Sequence, residues 1–314
     1  MQEKILVIWD VMIDKYSYGE VRRLNPEWPN PLLNIIKEEY KLGWAANVAA
    51  NISSLNWTCD LVWLVWNDKN ADVLNNVCKE NNVDFFSIKK ENFSTIIKQR
   101  FIENTYHQQL LRVDYEEKLQ NKGEILDNLE KILKENNYKI IVISDYNKWI
   151  IFEDLVKYIK EFSSKNDIRV LVDAKPYNYN FFNWVFLLKP NFKEFCEMIW
   201  KEIENNDKEI EKYWLDFVKK MNTNLVITRW SKWASLITKA WEYFHLETEA
   251  RRVFDVSWAW DTFIATVAYV LNNWYSLKNA IILANKASSI IVWKVGTAII
   301  DKEELFNKKK LKCE

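Results

Sequence analysis

Glycine is what this chain lacks most. Only 4 of its 314 residues are Gly, where a soluble domain of this length carries roughly 22. Cysteine is also sparse: Cys59, Cys78, Cys196 and Cys313 are dispersed with no CxxC spacing, which argues against a zinc site or a disulfide framework and suits reduced thiols in a cytoplasm. His107 and His245 are the only histidines, too few to suggest a Ser-His-Asp hydrolase or a His-rich metal site. There is no run of eighteen apolar residues, and the apolar stretch Ile5–Ile8 is too short for a signal peptide, so neither a membrane span nor secretion is expected. Excess charge of either sign is absent too. Lys+Arg and Asp+Glu both number 44, leaving no overall field to recruit nucleic acid or an acidic membrane.

What is abundant is tryptophan. The 17 Trp cluster at strand ends and turns rather than following apolar periodicity. Trp57 follows Asn56, Trp66 precedes Asn67 and Asp68, and Trp274 follows Asn272 and Asn273, contexts in which Gly ordinarily supplies positive φ. Glycine deficit and tryptophan excess nearly cancel, which leads to the expectation that the Trp letters stand for glycine through UGA recoding in the source. A literal Trp in left-handed geometry costs roughly 1–2 kcal/mol per site, and several such sites would consume much of a total stability of about 5–15 kcal/mol.

The 49% hydrophobic content suffices for a substantial core. Short apolar runs predict strands at Ile5–Ile8, Leu61–Val65, Ile140–Ser144, Val170–Asp173, Val185–Leu188 and Leu225–Thr228. Helical period predicts helices over Ala45–Leu55, Ala71–Glu80, Glu124–Glu135, Phe152–Phe162 and Lys208–Met221. Strand and helix alternate, so the expected fold is α/β with a mainly parallel sheet covered by helices on both faces. Ligands then bind beyond the carboxyl ends of the strands, where Asp10, Asp145, Lys175 and Asn191 fall. Two stretches break the alternation, about 15–40 and 94–113, and read as a small extra β sheet that can serve as a lid.

The strongest local signal is Asp255-Val256-Ser257-Trp258-Ala259-Trp260-Asp261-Thr262, followed by an apolar run through Leu271. With Gly at Trp258 and Trp260 it becomes a glycine-rich turn opening a helix, an anion cradle of backbone N–H groups reinforced by the helix dipole. Asp261 at the helix start is placed either to accept a proton from a substrate hydroxyl or simply to act as an N-cap.

These residues, with Gly43-Trp44-Ala45-Ala46-Asn47 and Asn191-Phe192-Lys193-Glu194, resemble the ribokinase-like (PfkB) sugar kinases from Ile5 to about Ile300. The resemblance implies a ribokinase-like kinase domain over 1–314, with Asp261 as catalytic base and an anion hole at Trp258, Ala259 and Trp260. It further implies ATP and Mg²⁺ organised by Asn191 and Glu194, the metal through water, with a monovalent cation as a possible requirement. Thr228-Arg229-Trp230-Ser231-Lys232-Trp233 resembles the family's T-x-G-x-x-G nucleotide segment, so Thr228, Trp230, Trp233 and Asn285 are expected on the nucleotide side.

Within that family the chain is most similar to the D-glycero-D-manno-heptose 7-phosphate kinases of ADP-heptose synthesis. The similarity is carried by 9–16, 23–29, 95–100, 108–114, 144–149 and 292–297, and Gly at Trp9, Trp44, Trp149, Trp258, Trp260 and Trp293 improves it each time. A sugar already bearing a phosphate needs cations away from the transfer centre, and Lys98, Arg100 and Arg112 on the lid strands meet that need. Asp10, Asp14, Gly43, Trp44, Asn47, Asp145 and Lys175 complete the expected substrate side. A cytoplasmic homodimer with the lid strands at its interface is implied by the resemblance. No H-x-G-H motif occurs, so kinase chemistry without adenylylation is expected. The open alternatives are a kinase of another sugar phosphate or a nucleoside, and a noncatalytic sugar-phosphate sensor on the same scaffold.

Overall fold

The computed structural model describes residues 3–65, 68–89, 94–116, 123–148, 150–229, 234–246, 259–292, 294 and 298–306. The apolar runs become strands because each can be buried on both faces. β1 (Lys4–Ile8) is followed by the paired β2 (Val11–Leu24) and β3 (Pro31–Trp44), helix α1 (Ala45–Ser54), β4 (Cys59–Val65), α2 (Lys69–Glu80) and β5 (Asp84–Lys89). Then come β6 (Ile97–Glu103), β7 (Gln108–Tyr115), α3 (Gly123–Glu135), β8 (Tyr138–Ser144), α4 (Glu153–Lys165), β9 (Arg169–Asp173) and β10 (Leu187–Leu188). The chain closes through α5 (Phe192–Met198), α6 (Asp207–Met221), β11 (Asn224–Thr228), the hairpin β12 (Ala234–Ile237) and β13 (Tyr243–Leu246), and helices α7 (Ala259–Asn272), α8 (Leu277–Ile291) and α9 (Lys302–Phe306).

Nine strands form the main sheet in the order β13-β12-β11-β10-β9-β8-β1-β4-β5. All its pairings are parallel except those made by β12. Every residue of β4 and β11 is buried, which explains why these strands read as continuous rather than alternating apolar runs. The expected mainly parallel α/β sheet is therefore present. The strand expected over Val185–Leu188 is reduced to its last two residues, although the Phe186 N–H still donates to the Val170 carbonyl at 2.9 Å.

The second sheet, in the order β3-β2-β6-β7, is the small lid. It is larger than the stretch 15–40 suggested. β2 and β3 pair from Val11↔Trp44 out to Leu24↔Pro31, so the hairpin leaves directly from the end of β1 and returns directly into α1. This continuity ties lid position to the first turn of α1. β6 and β7 pair antiparallel, and β6 joins β2 in parallel.

Candidate active site

The strands of the main sheet deliver polar groups at their carboxyl ends, where the apolar pattern stops. Asp10 follows β1, Asp145 follows β8, Asp173 ends β9, Lys189 follows β10 and Thr228 ends β11. All five are buried. A buried charge must be paired or hydrogen-bonded, and each carboxylate here is. Asp10 accepts from the amides of Tyr146 and Lys148. Asp145 accepts from the amide of Asn147 at 2.8 Å and the side-chain amide of Asn178 at 2.9 Å. Asp173 pairs with the Lys189 ammonium at 2.8 Å.

Asp261 lies in the first turn of α7 and is 1% exposed. The Asn47 side-chain amide in α1 donates to its Oδ2 at 2.9 Å, and the Tyr146 hydroxyl donates to its Oδ1 at 3.2 Å. Burial pushes the Asp261 carboxyl up to about 7, reinforced by the nearby Asp173 charge and opposed by the Asn47 hydrogen bond. A carboxylate so held is fixed in orientation and basic enough to exchange a proton near neutrality. Burial and the neighbouring Asp145 push Asp10 up to about 8, and burial also raises Asp145.

Asn191 and Glu194 form a reciprocal capping box at the start of α5: each backbone N–H donates to the other's side chain at 2.9 Å. The second Glu194 oxygen accepts from the Lys175 ammonium. Neighbouring Glu194 and Asp173 hold Lys175 protonated against its own burial. Lys175 in turn lies over the Tyr146 ring, 5.0 Å from its centroid, which links the α5 end of the site to Asp261. Asn191 also bridges to Thr228 in parallel fashion.

The lid contributes cations. Lys98 and Arg100 point from β6, and Arg100 forms an ion pair with the fully buried Asp14 of β2. Arg112 is the cross-strand partner of Arg100 and is held by Asp114 at 2.9 Å. Asp14 and Arg112 are thus each held by an ion pair within the lid. A Cβ on Gly43 would stand 2.6 Å from the Met12 side chain and 2.7 Å from Asp14 Oδ2, so close packing of β3 on β2 requires glycine there. Trp44 caps α1; its indole stacks on Tyr146 at 4.7 Å, with Lys98 4.6 Å and Lys148 5.5 Å from the ring.

Of the remaining expected positions, Ala259 and Trp260 begin α7, and Asn285 lies on α8. Trp258, Trp230 and Trp233 lie outside the described residues. Three features escaped the sequence reading: Tyr146 on Asp261, the Asp173–Lys189 pair, and the network around Arg229. The buried Arg229 guanidinium joins Asp207, Asn205 at 2.9 Å, Ser235 at 2.9 Å and His245 at 3.2 Å, anchoring the end of β11 to α6 and to the β12–β13 hairpin. The available signal was position: each of Tyr146, Asp173, Lys189 and Arg229 is at or next to the carboxyl end of a strand.

A parallel α/β sheet with a β lid, a buried aspartate at a helix start and oxygen donors at the strand ends defines a carbohydrate kinase of the ribokinase-like type. The chain belongs to the pfkB family carbohydrate kinases, whose family model matches residues 2–304. It is 36% identical over 98% of its length to the bifunctional protein HldE of Haemophilus influenzae, and 35% identical to that of Pasteurella multocida. It spans 63% of the length of these relatives. Phosphofructokinase-2 from Escherichia coli, in a structure with potassium, superposes with a TM-score of 0.81 at 15% identity, covering 97% of both chains. Arabidopsis thaliana ribokinase, complexed with ribose and ATP, superposes with a TM-score of 0.74 at 17% identity, covering 97% of this chain and 98% of its own.

Proposed function

We propose that this kinase transfers the γ-phosphoryl group of ATP to O1 of D-glycero-D-manno-heptose 7-phosphate, giving the 1,7-bisphosphate in ADP-heptose biosynthesis. The observation that carries the reading is Asp261, buried and held between Asn47 and Tyr146 at the start of α7, with lid cations Lys98 and Arg100 supplied by the adjoining sheet. In this reading Asp261 takes the proton of the anomeric hydroxyl as that oxygen attacks phosphorus. The Asn47 and Tyr146 hydrogen bonds keep its lone pair aimed at the acceptor. The amides of 258–261 receive the charge on the transferring phosphoryl, and Lys98, Arg100 and Arg112 hold the distal 7-phosphate.

Mg²⁺ fits the donor set. Asn191 and Glu194 offer hard oxygens, and among the described residues no group of three His, Cys, Asp or Glu is arranged to cage a metal directly. Mg²⁺ suits such a place because it keeps several waters and binds through one or two carboxylates plus substrate phosphates. When bound it neutralises charge on the β- and γ-phosphate oxygens. On the nucleotide side, Thr228, the 230–233 segment and Asn285 would contact ATP. Similarity to the potassium-bound phosphofructokinase-2 supports a monovalent-cation dependence. Similarity to the bifunctional protein HldE over nearly the whole chain supports a sugar kinase, the class to which a kinase of the proposed heptose phosphate acceptor belongs. Among the described residues no helix is long and apolar enough to cross a membrane.

The exposed lid residues Leu24, Ile35, Ile36, Leu111 and Tyr115 support a homodimer joined through the lids, checked by light scattering of the wild type and Ile36→Glu. The test of function is ADP release across a panel of the heptose phosphate, other sugar phosphates, neutral sugars and nucleosides. Turnover confined to the heptose phosphate supports the reading. Preference for another acceptor replaces the substrate, and no ADP with any acceptor overturns the kinase reading and favours a noncatalytic sugar-phosphate sensor.

A further inference from the structure

We infer that the codon rendered as tryptophan in this chain is decoded as glycine by its source, and that the volume occupied by the Trp44 indole belongs to the acceptor. The first half rests on backbone geometry and the second also on the kinase reading above.

Among the described residues, twelve that are not glycine have positive φ. Seven are Asn, Asp or His, the types that tolerate the left-handed region. The other five are all tryptophan: Trp9 at 80°, Trp44 at 52°, Trp200 at 56°, Trp241 at 66° and Trp274 at 65°. No other bulky residue joins them. A sequence with arbitrary tryptophans would not place them selectively where a Cβ is disfavoured.

Three of the five occupy motif positions that glycine ordinarily takes, and the other two have backbone angles that disfavour a Cβ. At the end of α5, the Trp200 N–H donates to the Glu197 carbonyl at 3.2 Å and the Lys201 N–H to Cys196 at 3.1 Å. That is the paired hydrogen bonding of a Schellman motif, with Trp200 in the left-handed place that glycine usually takes. The end of α7 repeats it: Trp274 donates to Leu271 at 3.2 Å and Tyr275 to Val270 at 3.4 Å. Between β12 and β13, Trp241 donates to Thr238 at 2.9 Å while Thr238 donates to Glu242 at 2.9 Å. This is the three-residue hairpin loop whose last position is a left-handed glycine. Trp44 has φ 52° and ψ −126°, outside even the small left-handed basin open to L-residues. Trp9 turns the chain from β1 toward the lid.

Three of the five side chains lie largely in solvent. Trp200, Trp241 and Trp274 are 86%, 60% and 78% exposed. Trp9, Trp57 and Trp214 are the opposite: their indole N–H groups are buried and meet no acceptor among the described residues, although a buried indole N–H usually finds one.

At the site the consequence is specific. The Trp44 ring fills the space between the Tyr146 ring and the Lys98 and Lys148 ammoniums, and Tyr146 is one of the two groups that hold Asp261. With glycine at 44 those cations and the Tyr146 face border the space the indole now fills, one helical turn from Asn47.

Peptide mass mapping of the protein purified from its source reads the residues directly and needs no activity. Glycine at 9, 44, 200, 241 and 274 is expected; tryptophan at any of them overturns the inference. The gene gives a second check, with UGA expected at these positions and UGG overturning the decoding. For the pocket, D-glycero-D-manno-heptose 7-phosphate binding is compared by calorimetry between the chain with glycine at every Trp position and the same chain keeping Trp44 alone. Roughly tenfold or greater weakening by Trp44 is expected, with circular dichroism verifying that both are folded. Equal binding overturns the pocket assignment. Absence of binding to the all-glycine chain overturns both that assignment and the heptose reading, while the mass map still decides the residue identities.

Discussion

The main sheet and the lid both bring charge to the site, but they hold it in different ways. Asp145, Asp173, Lys189 and Asp261 are buried in a lattice of fixed hydrogen bonds from several strands and helices. Lys98, Arg100 and Arg112 stand on a sheet of four strands with one largely exposed surface. A buried network fixes orientation and proton affinity, which chemistry needs. A half-exposed lid can change its cations without disturbing the core, which recognition needs. Catalytic turnover should therefore depend on the first region and acceptor selectivity on the second.

The largest effect that would break this contrast is at Asp261. Asp261→Asn, made in the gene with glycine at the Trp positions, should lower kcat by roughly 10²–10⁴, the usual worth of a positioned acid or base, with an unchanged thermal midpoint. Near-normal turnover would falsify its role as base. On the lid, Lys98→Gln should raise KM for a phosphorylated acceptor by about tenfold or more, the loss of one charge-assisted hydrogen bond. KM for ATP and kcat should change little. Lys98 is the better probe than Arg100, because removing Arg100 leaves the buried Asp14 unpaired at a cost of about 3–5 kcal/mol. A lid substitution that lowered kcat and spared KM would erase the distinction between the two regions.

Arg229 sharpens the contrast inside the main sheet. Its ion pair and hydrogen bonds tie β11 to α6 and to the β12–β13 hairpin, so Arg229→Met should raise KM for ATP several-fold with KM for the acceptor unchanged. Arg229→Lys should recover only part, since one ammonium can replace Nη1 at Asp207 and Ser235 but not also the Nε–H donated to Asn205. Steady-state kinetics with each substrate varied in turn separates these outcomes.

Much of the fold was legible because buried parallel strands announce themselves as unbroken apolar runs. Ile140–Ser144 and Leu225–Thr228 appear as β8 and β11 with adjusted first residues. The lid was legible by its broken alternation, but its full reach was not. Val11–Ile13 and Leu42–Trp44 lie outside the expected stretch of about 15–40, and only their pairing with each other assigns them to the second sheet. Asp261, Asn47 and Glu194 were legible through local motifs. Tyr146 was not, because an aromatic after a strand is ordinarily core and its carboxylate partner lies 115 residues away. The Asp173–Lys189 pair becomes visible only when β9 and β10 are placed side by side.

The smallest effect concerns proton affinity, and it tests whether the buried network tunes the base. Asn47 lowers the Asp261 carboxyl by hydrogen bonding to its charged form, while the Asp173 charge raises it. An active base must be deprotonated, so kcat/KM should fall on the acid side through a limb near pH 7. Asn47→Ala should move that limb to higher pH. Asp173→Asn should move it lower, and the freed Lys189 ammonium acts in the same direction because it too favours the charged carboxylate. Opposite displacements by two substitutions on different elements require a shared electrostatic field around Asp261. A generally loosened fold would instead move both profiles the same way, or lower their heights without moving either limb.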